Sequence, residues 1–162
     1  MSLIVIGAWA EKNENEPIIA LTVSKETALG FSLSAAEDNL SIQIDWGDGT
    51  LTDKNINKAN TYIQGTPSGT KIIKIYADAT TIKELSLSYC SYLTEVDLSK
   101  CTALKKLSVK ECTKITTFIH PEDATTIESL TIDNSSIKNI DLHEWSGLKN
   151  LKYAPYGIST IV

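Results

Sequence analysis

The chain contains no arginine. Guanidinium groups supply the commonest bidentate contacts to guanine and many contacts to phosphate, so a nucleic-acid partner is not expected. Histidine is nearly absent as well, with only His120 and His143. Neither sits in a recognisable nucleophile motif, and nucleophilic catalysis needs a base held against its serine, threonine or cysteine. The three cysteines form no C-x-x-C pair and no H-x-x-x-H occurs, so the common zinc spacings are missing. Eight glycines build neither a G-x-G-x-x-G nor a phosphate-cradling run. No apolar stretch reaches about 18 residues, the length that spans a bilayer. The opening MSLIVIGAWAEKNENEP has a short apolar run and no basic segment before it, so it does not read as a complete signal peptide. The expectation is a non-enzyme with no cofactor, no metal site and no membrane span.

What is present is an ordinary soluble composition, 42% apolar and 22% charged with a net charge of −5. Lys100, Lys105, Lys106, Lys110 and Lys114 cluster, but Glu95, Asp97 and Glu111 interrupt them, which describes a solvated mixed face. Up to about Ala79 the chain reads as short strands and turns. PIIALTV and ALGFSLS are rich in β-branched and aromatic residues. In LSIQIDW, Leu40, Ile42, Ile44 and Trp46 alternate with polar residues, as in a strand with one buried face. GDGT follows, and Asp48-Gly49 is expected to supply the positive φ angles of a tight reversal. SGTKIIKIYA gives a further strand after a glycine turn. The pattern is all-β, a small sandwich.

The segment IDWGDGT, Ile44 to Thr50, with a later glycine turn and a final alternating strand, resembles the PKD-type immunoglobulin-like domain, whose hallmark is a WGDG turn. The resemblance implies a PKD-like β-sandwich over residues 1–79. Asp45 and Asp48 admit two readings. They are calcium ligands, or they accept backbone amides and hold the turn. A calcium loop offers more oxygens at close spacing, which favours the second.

From residue 80 onward the rhythm changes. Apolar positions open successive units at Ile82, Leu93, Leu104, Ile115, Ile127, Ile137, Leu148 and Ile158, at intervals of 11, 11, 11, 12, 10, 11 and 10. Further apolar residues follow at the third and usually the fifth position. Examples are Leu85 and Leu87, Leu107 and Val109, and Leu130 and Ile132. A fixed period in the twenties marks a solenoid, here with about 22 residues per coil and roughly three and a half coils. The pattern L-x-x-L-x-L-x-x-C-x-x-L resembles the cysteine-containing leucine-rich repeat over residues 80–162. The fold class expected is therefore mainly β, a small sandwich feeding directly into a short leucine-rich-repeat solenoid.

Cys90 and Cys112 are one coil apart, and Cys101 lies half a coil between them. Stacked coils about 4.8 Å apart would superpose Cys90 and Cys112. A disulfide would meet the distance but not the torsion, and an odd count leaves one thiol over. The expectation is a reduced, buried ladder in which thiols pack as small apolar groups. Asp123, Ser135, Trp145 and Tyr156 hold the same slot in later half-coils, which makes Trp145 a core residue.

Residues between the core positions point outward and stack into polar columns. Binding anchors favour aromatic residues, so Tyr89, Tyr92, Tyr153 and Tyr156 stand out. Tyr89, Lys106, Lys110 and Tyr153 are the candidate binding residues. A PKD-like domain leading into leucine-rich repeats resembles surface proteins of gut-dwelling anaerobic bacteria. That implies an exported or cell-surface module engaging a protein or glycan ligand. The alternative is a structural spacer, or a capped piece of a longer array. GISTIV at the end offers no polar cap, so self-association through a C-terminal edge is also expected.

Overall fold

A computed structural model describes residues 16–156 and the short strand at 160–161. Ile158 and the apolar opening of the chain lie outside the described residues. The first part supplies six strands: β1 (Ile19–Val23), β2 (Leu29–Ala35), β3 (Leu40–Asp45), β4 (Leu51–Ile56), β5 (Thr61–Gly65) and β6 (Ile72–Tyr76). Alternation decides their faces. Ile19, Leu21 and Val23 are buried on β1, Ile42 and Ile44 on β3, and Ile73 and Ile75 on β6. β4 differs, because only Ile56 is buried and the rest is polar or exposed. It is an edge strand, and its charged Asp53 and Lys54 oppose edge-to-edge pairing with other chains.

The reversal between β3 and β4 is a five-residue loop, since Asp45 pairs with Leu51. The positive φ angles fall on Gly47 (104°) and Gly49 (81°), not on Asp48. The buried carboxylate of Asp45 explains the difference. Its Oδ1 accepts the amides of Gly47 (2.7 Å) and Gly49 (2.9 Å), while Asp48 accepts Thr50 N–H at 2.8 Å. Collecting two amides on one carboxylate bends the chain more widely than a two-residue turn. A side chain at Gly47 would also strike the carbonyl of Ser68, 2.3 Å from where a Cβ would stand.

The second part is a β-solenoid of about three turns of roughly 22 residues. Its long rungs are β7 (Ile82–Ser88), β9 (Lys106–Lys110), β11 (Ser129–Asp133) and β13 (Asn150–Ala154). The rungs on its other side, β8 (Leu93–Asp97), β10 (Thr117–Ile119), β12 (Asn139–Ile140) and β14 (Thr160–Ile161), shorten from five residues to two. The long rungs are parallel and in register, which stacks Leu85, Leu107, Leu130 and Leu151 in one inward row. Leu87, Val109, Ile132 and Tyr153 form a second. Each long rung from β7 to β11 ends on a left-handed residue: Tyr89 (φ 59°), Glu111 (54°) and Asn134 (44°). Their amides continue the ladder, to the carbonyls of Lys110, Asp133 and Ala154.

The cysteine slot behaves as a packing column. Cys90, Cys101 and Cys112 are buried free thiols, and Ser135 and Trp145 are buried at equivalent positions. Asp123 and Tyr156, placed in the same slot by spacing, depart from the pattern and are exposed. The twelve-residue interval advances the chain by one, so Ala124 turns inward while Asp123 is exposed and caps a 3-10 turn, Ala124–Thr126.

The two parts share both sheets. One sheet runs β10-β8-β1-β6-β3-β4 and the other β13-β11-β9-β7-β2-β5. β1 pairs antiparallel with β8, and β2 with β7, so strands of the first part flank both sheets of the first coil. Residues 77–81 carry the chain from β6 in one sheet to β7 in the other. A single apolar cluster extends from Ile18 to Trp145. Unpaired edges invite aggregation, and a solenoid needs its ends covered, which the strands of the first part do for the first coil.

Candidate functional site

Where β5, β2 and β7 lie side by side, their outward residues fall on one line. Tyr62 opposes Ser32, and Ser32 opposes Ser86. Tyr62 leans over Gly30, since a Cβ there would stand 2.0 Å from the phenol oxygen. The line continues along the solenoid through Ser108 and Thr131 to Lys152.

Beside this line the left-handed corner after β7 turns Tyr89 outward, leaving it 78% exposed. Tyr92 follows in the loop before β8, fixed by the Ser24 amide donating to its carbonyl at 2.9 Å. Lys25 Nζ sits 4.8 Å from the centre of its ring, close enough for a cation–π contact. Tyr62, Tyr89 and Tyr92 border a cleft of about 440 Å³, with Gly30, Ser32, Ser88 and Gln64 among its lining. That volume lies within the roughly 300–1,000 Å³ typical of ligand pockets. No lysine, aspartate or glutamate lines it among the described residues.

Tyr89 carries a backbone cost. A left-handed conformation disfavours L-residues by about 1–2 kcal/mol, and Asn tolerates it best after Gly. The equivalent corner after β11 uses Asn134. A bulky, solvent-exposed tyrosine at the first corner is not what the backbone favours. The corner after β9 holds Glu111 in the same conformation, so the left-handed turn belongs to the coil and only the exposed aromatic ring is particular to the cleft.

Cys90 lies at the cleft wall with its sulfur 3.7 Å from the Gly30 carbonyl. Its hydrogen bond with Cys112, and then burial, push the Cys90 thiol well above the ordinary thiol range. Burial likewise pushes Cys101 up to about 12. A thiolate is the nucleophilic form, so neither is poised for attack. The histidines lie elsewhere. His143 Nδ1 donates to Asp141 Oδ1 at 2.8 Å on an exposed loop, and His120 Nδ1 is 2.8 Å from the Pro121 carbonyl oxygen.

Of the residues singled out in the sequence, Tyr89 lines the cleft and Tyr92 joins it. Lys106 stands farther along the sheet, its ammonium 2.7 Å from Glu84 across the neighbouring rung. Lys110 is exposed and in register between Ser88 and Asp133. Tyr153 lies in the inward row, half-buried, and donates its hydroxyl to the Ile137 carbonyl at 3.2 Å. Tyr156 is 65% exposed, away from the cleft lining. Tyr62, Ser32 and Gly30 were not foreseen. The alternation in TYIQG, with Ile63 inward and Tyr62 and Gln64 outward, was the available signal. No known protein family matches the chain, and neither a curated protein nor a solved structure matches it.

Proposed function

We propose that the chain is a non-catalytic binding module: a PKD-like sandwich followed by leucine-rich coils, exported or displayed at a bacterial surface. It engages a protein or glycan through the cleft where the two parts meet. The observation that carries this reading is the uncharged cleft with three tyrosines at its border, shared between strands of both parts. Aromatic rings supply large contact area at low conformational cost, which is why they dominate binding hot spots. The rest of the long-rung face is less suited to an anchor. It is filled with ion pairs between adjacent rungs, Lys106–Glu84, Lys149–Glu128 and Lys152–Asp133. The test is a screen of the purified chain on printed glycans and proteins beside a Tyr62→Ala/Tyr89→Ala variant. A retained ligand lost by the variant supports the reading. No ligand, or one indifferent to both changes, refutes it.

A second reading, a stacking unit of a longer assembly, is favoured by Leu151. It belongs to the inward leucine row yet is 45% exposed on β13, the outermost strand of its sheet. Concentration-dependent light scattering tests it. Self-association abolished by Leu151→Lys is the expected result, and a monomer at all concentrations contradicts it.

A further inference from the structure

We infer that the ligand of the junction cleft is an uncharged saccharide chain, an inference that rests on the cleft being a ligand site. Charge decides the class first. In a chain whose residues are 22% charged, the cleft lining carries no formal charge among the described residues. Lys25, held over the Tyr92 ring, lies outside the lining, so a charged ligand would be desolvated against a lining that offers it no opposite charge, while a neutral one is not penalised. The chemistry of the lining then narrows the choice. Tyrosine rings offer electron-rich faces to the weakly positive C–H faces of a sugar ring. Serine hydroxyls and the Gln64 amide both donate and accept, as sugar hydroxyls require.

The surroundings point to a chain instead of a single sugar. Ser32, Ser86, Ser108 and Thr131 stand in register on consecutive strands, about 4.8 Å apart by strand spacing, leading out from Tyr62. This row gives a hydroxyl-rich polymer a continuous series of partners beyond the cleft. A peptide is disfavoured by the same geometry. Extended peptides gain their affinity by adding a strand to a free edge. The cleft lies over the faces of β5, β2 and β7; β2 is paired on both sides, and a strand added to the outer edge of β5 would extend the sheet beside the cleft instead of filling it.

The test is calorimetric titration with maltoheptaose, cellohexaose, xylohexaose and chitohexaose, beside oligogalacturonate and a casein digest. Three variants accompany the native chain: Tyr62→Ala, Tyr89→Asn and Gly30→Ala. Tyr89→Asn installs the residue that an equivalent corner already uses, and the atoms nearest a Cβ at Gly30 are the outer end of the exposed Tyr62 ring, which can swing away, so both variants are expected to fold. The inference predicts that a neutral oligosaccharide binds, independently of salt, and that each variant weakens it about tenfold or more. Binding of the casein peptides alone, lost in the variants, overturns the saccharide and leaves the cleft as the ligand site. Binding of oligogalacturonate alone does the same. Saccharide binding unaffected by the variants, or no binding by any probe, overturns both.

Discussion

Leu107 is the residue whose removal measures the solenoid core most cleanly. It is 1% exposed, and its register partners on the flanking rungs are Leu85 and Leu130, themselves 1% and 0% exposed. Leu107→Ala removes three carbons from water-free packing, about 2.4 kcal/mol at ~0.8 kcal/mol each. The flanking leucines are held by ladders on both sides and close the gap only in part. A residual void on the order of 60 Å³ at ~24 cal/mol per Å³ adds about 1.4 kcal/mol. The sum, about 4 kcal/mol, lies inside the roughly 2–5 kcal/mol seen for buried Leu→Ala changes. Urea unfolding followed by circular dichroism reads it as a midpoint lowered by about 2 M at a slope near 2 kcal/mol/M. Lys106→Ala, one residue away on the outward face, is the control. Its ion pair with Glu84 is solvent-exposed, so its midpoint stays with the native chain. A loss below about 1 kcal/mol for Leu107→Ala, or an equal loss for Lys106→Ala, refutes the assignment of faces.

Three further outcomes follow from single sites. Tyr89→Asn relieves the left-handed corner, so it leaves stability unchanged or raises it by up to about 1 kcal/mol; a clear loss on thermal unfolding would mean that Tyr89 serves packing. The thiols of Cys90, Cys101 and Cys112 are buried, so the native chain resists a disulfide reagent and the urea-unfolded chain reacts at all three; fast labelling before unfolding contradicts the ladder. The hydrogen bond to Asp141, with its carboxylate charge, raises the pKa of His143, so the imidazolium favours the folded state below about pH 6.5 and that contribution fades as pH rises through the raised value. An NMR titration midpoint of His143 at or below the ordinary value, or one unmoved by Asp141→Asn, goes against that pair.

The solenoid was legible because each coil repeats the same demand, and a fixed spacing of apolar residues survives in sequence. Leu85, Leu107 and Leu130 could be placed before any coordinates. The edge strand β4 was not legible, since LTDKNI buries only Ile56 and so shows no alternation. The extra residue between Cys112 and Ala124 moved the slot off Asp123, which spacing alone does not reveal. Tyr153 was taken for an outward anchor because aromatic residues mark binding sites, but its register places it in the row of Leu87, Val109 and Ile132. The cleft was hidden for a topological reason. Tyr62 and Tyr89 approach only because β2 inserts between β5 and β7, a pairing that no local pattern encodes.

The shared sheets are most directly tested by NMR of the labelled chain. Cross-strand nuclear Overhauser contacts are predicted between Leu33 and Leu85, Phe31 and Leu87, and Leu21 and Val96, with one rotational correlation time for both parts. Absence of these contacts, with residues before and after position 80 tumbling at different rates, would contradict a first part whose strands extend the sheets of the first coil.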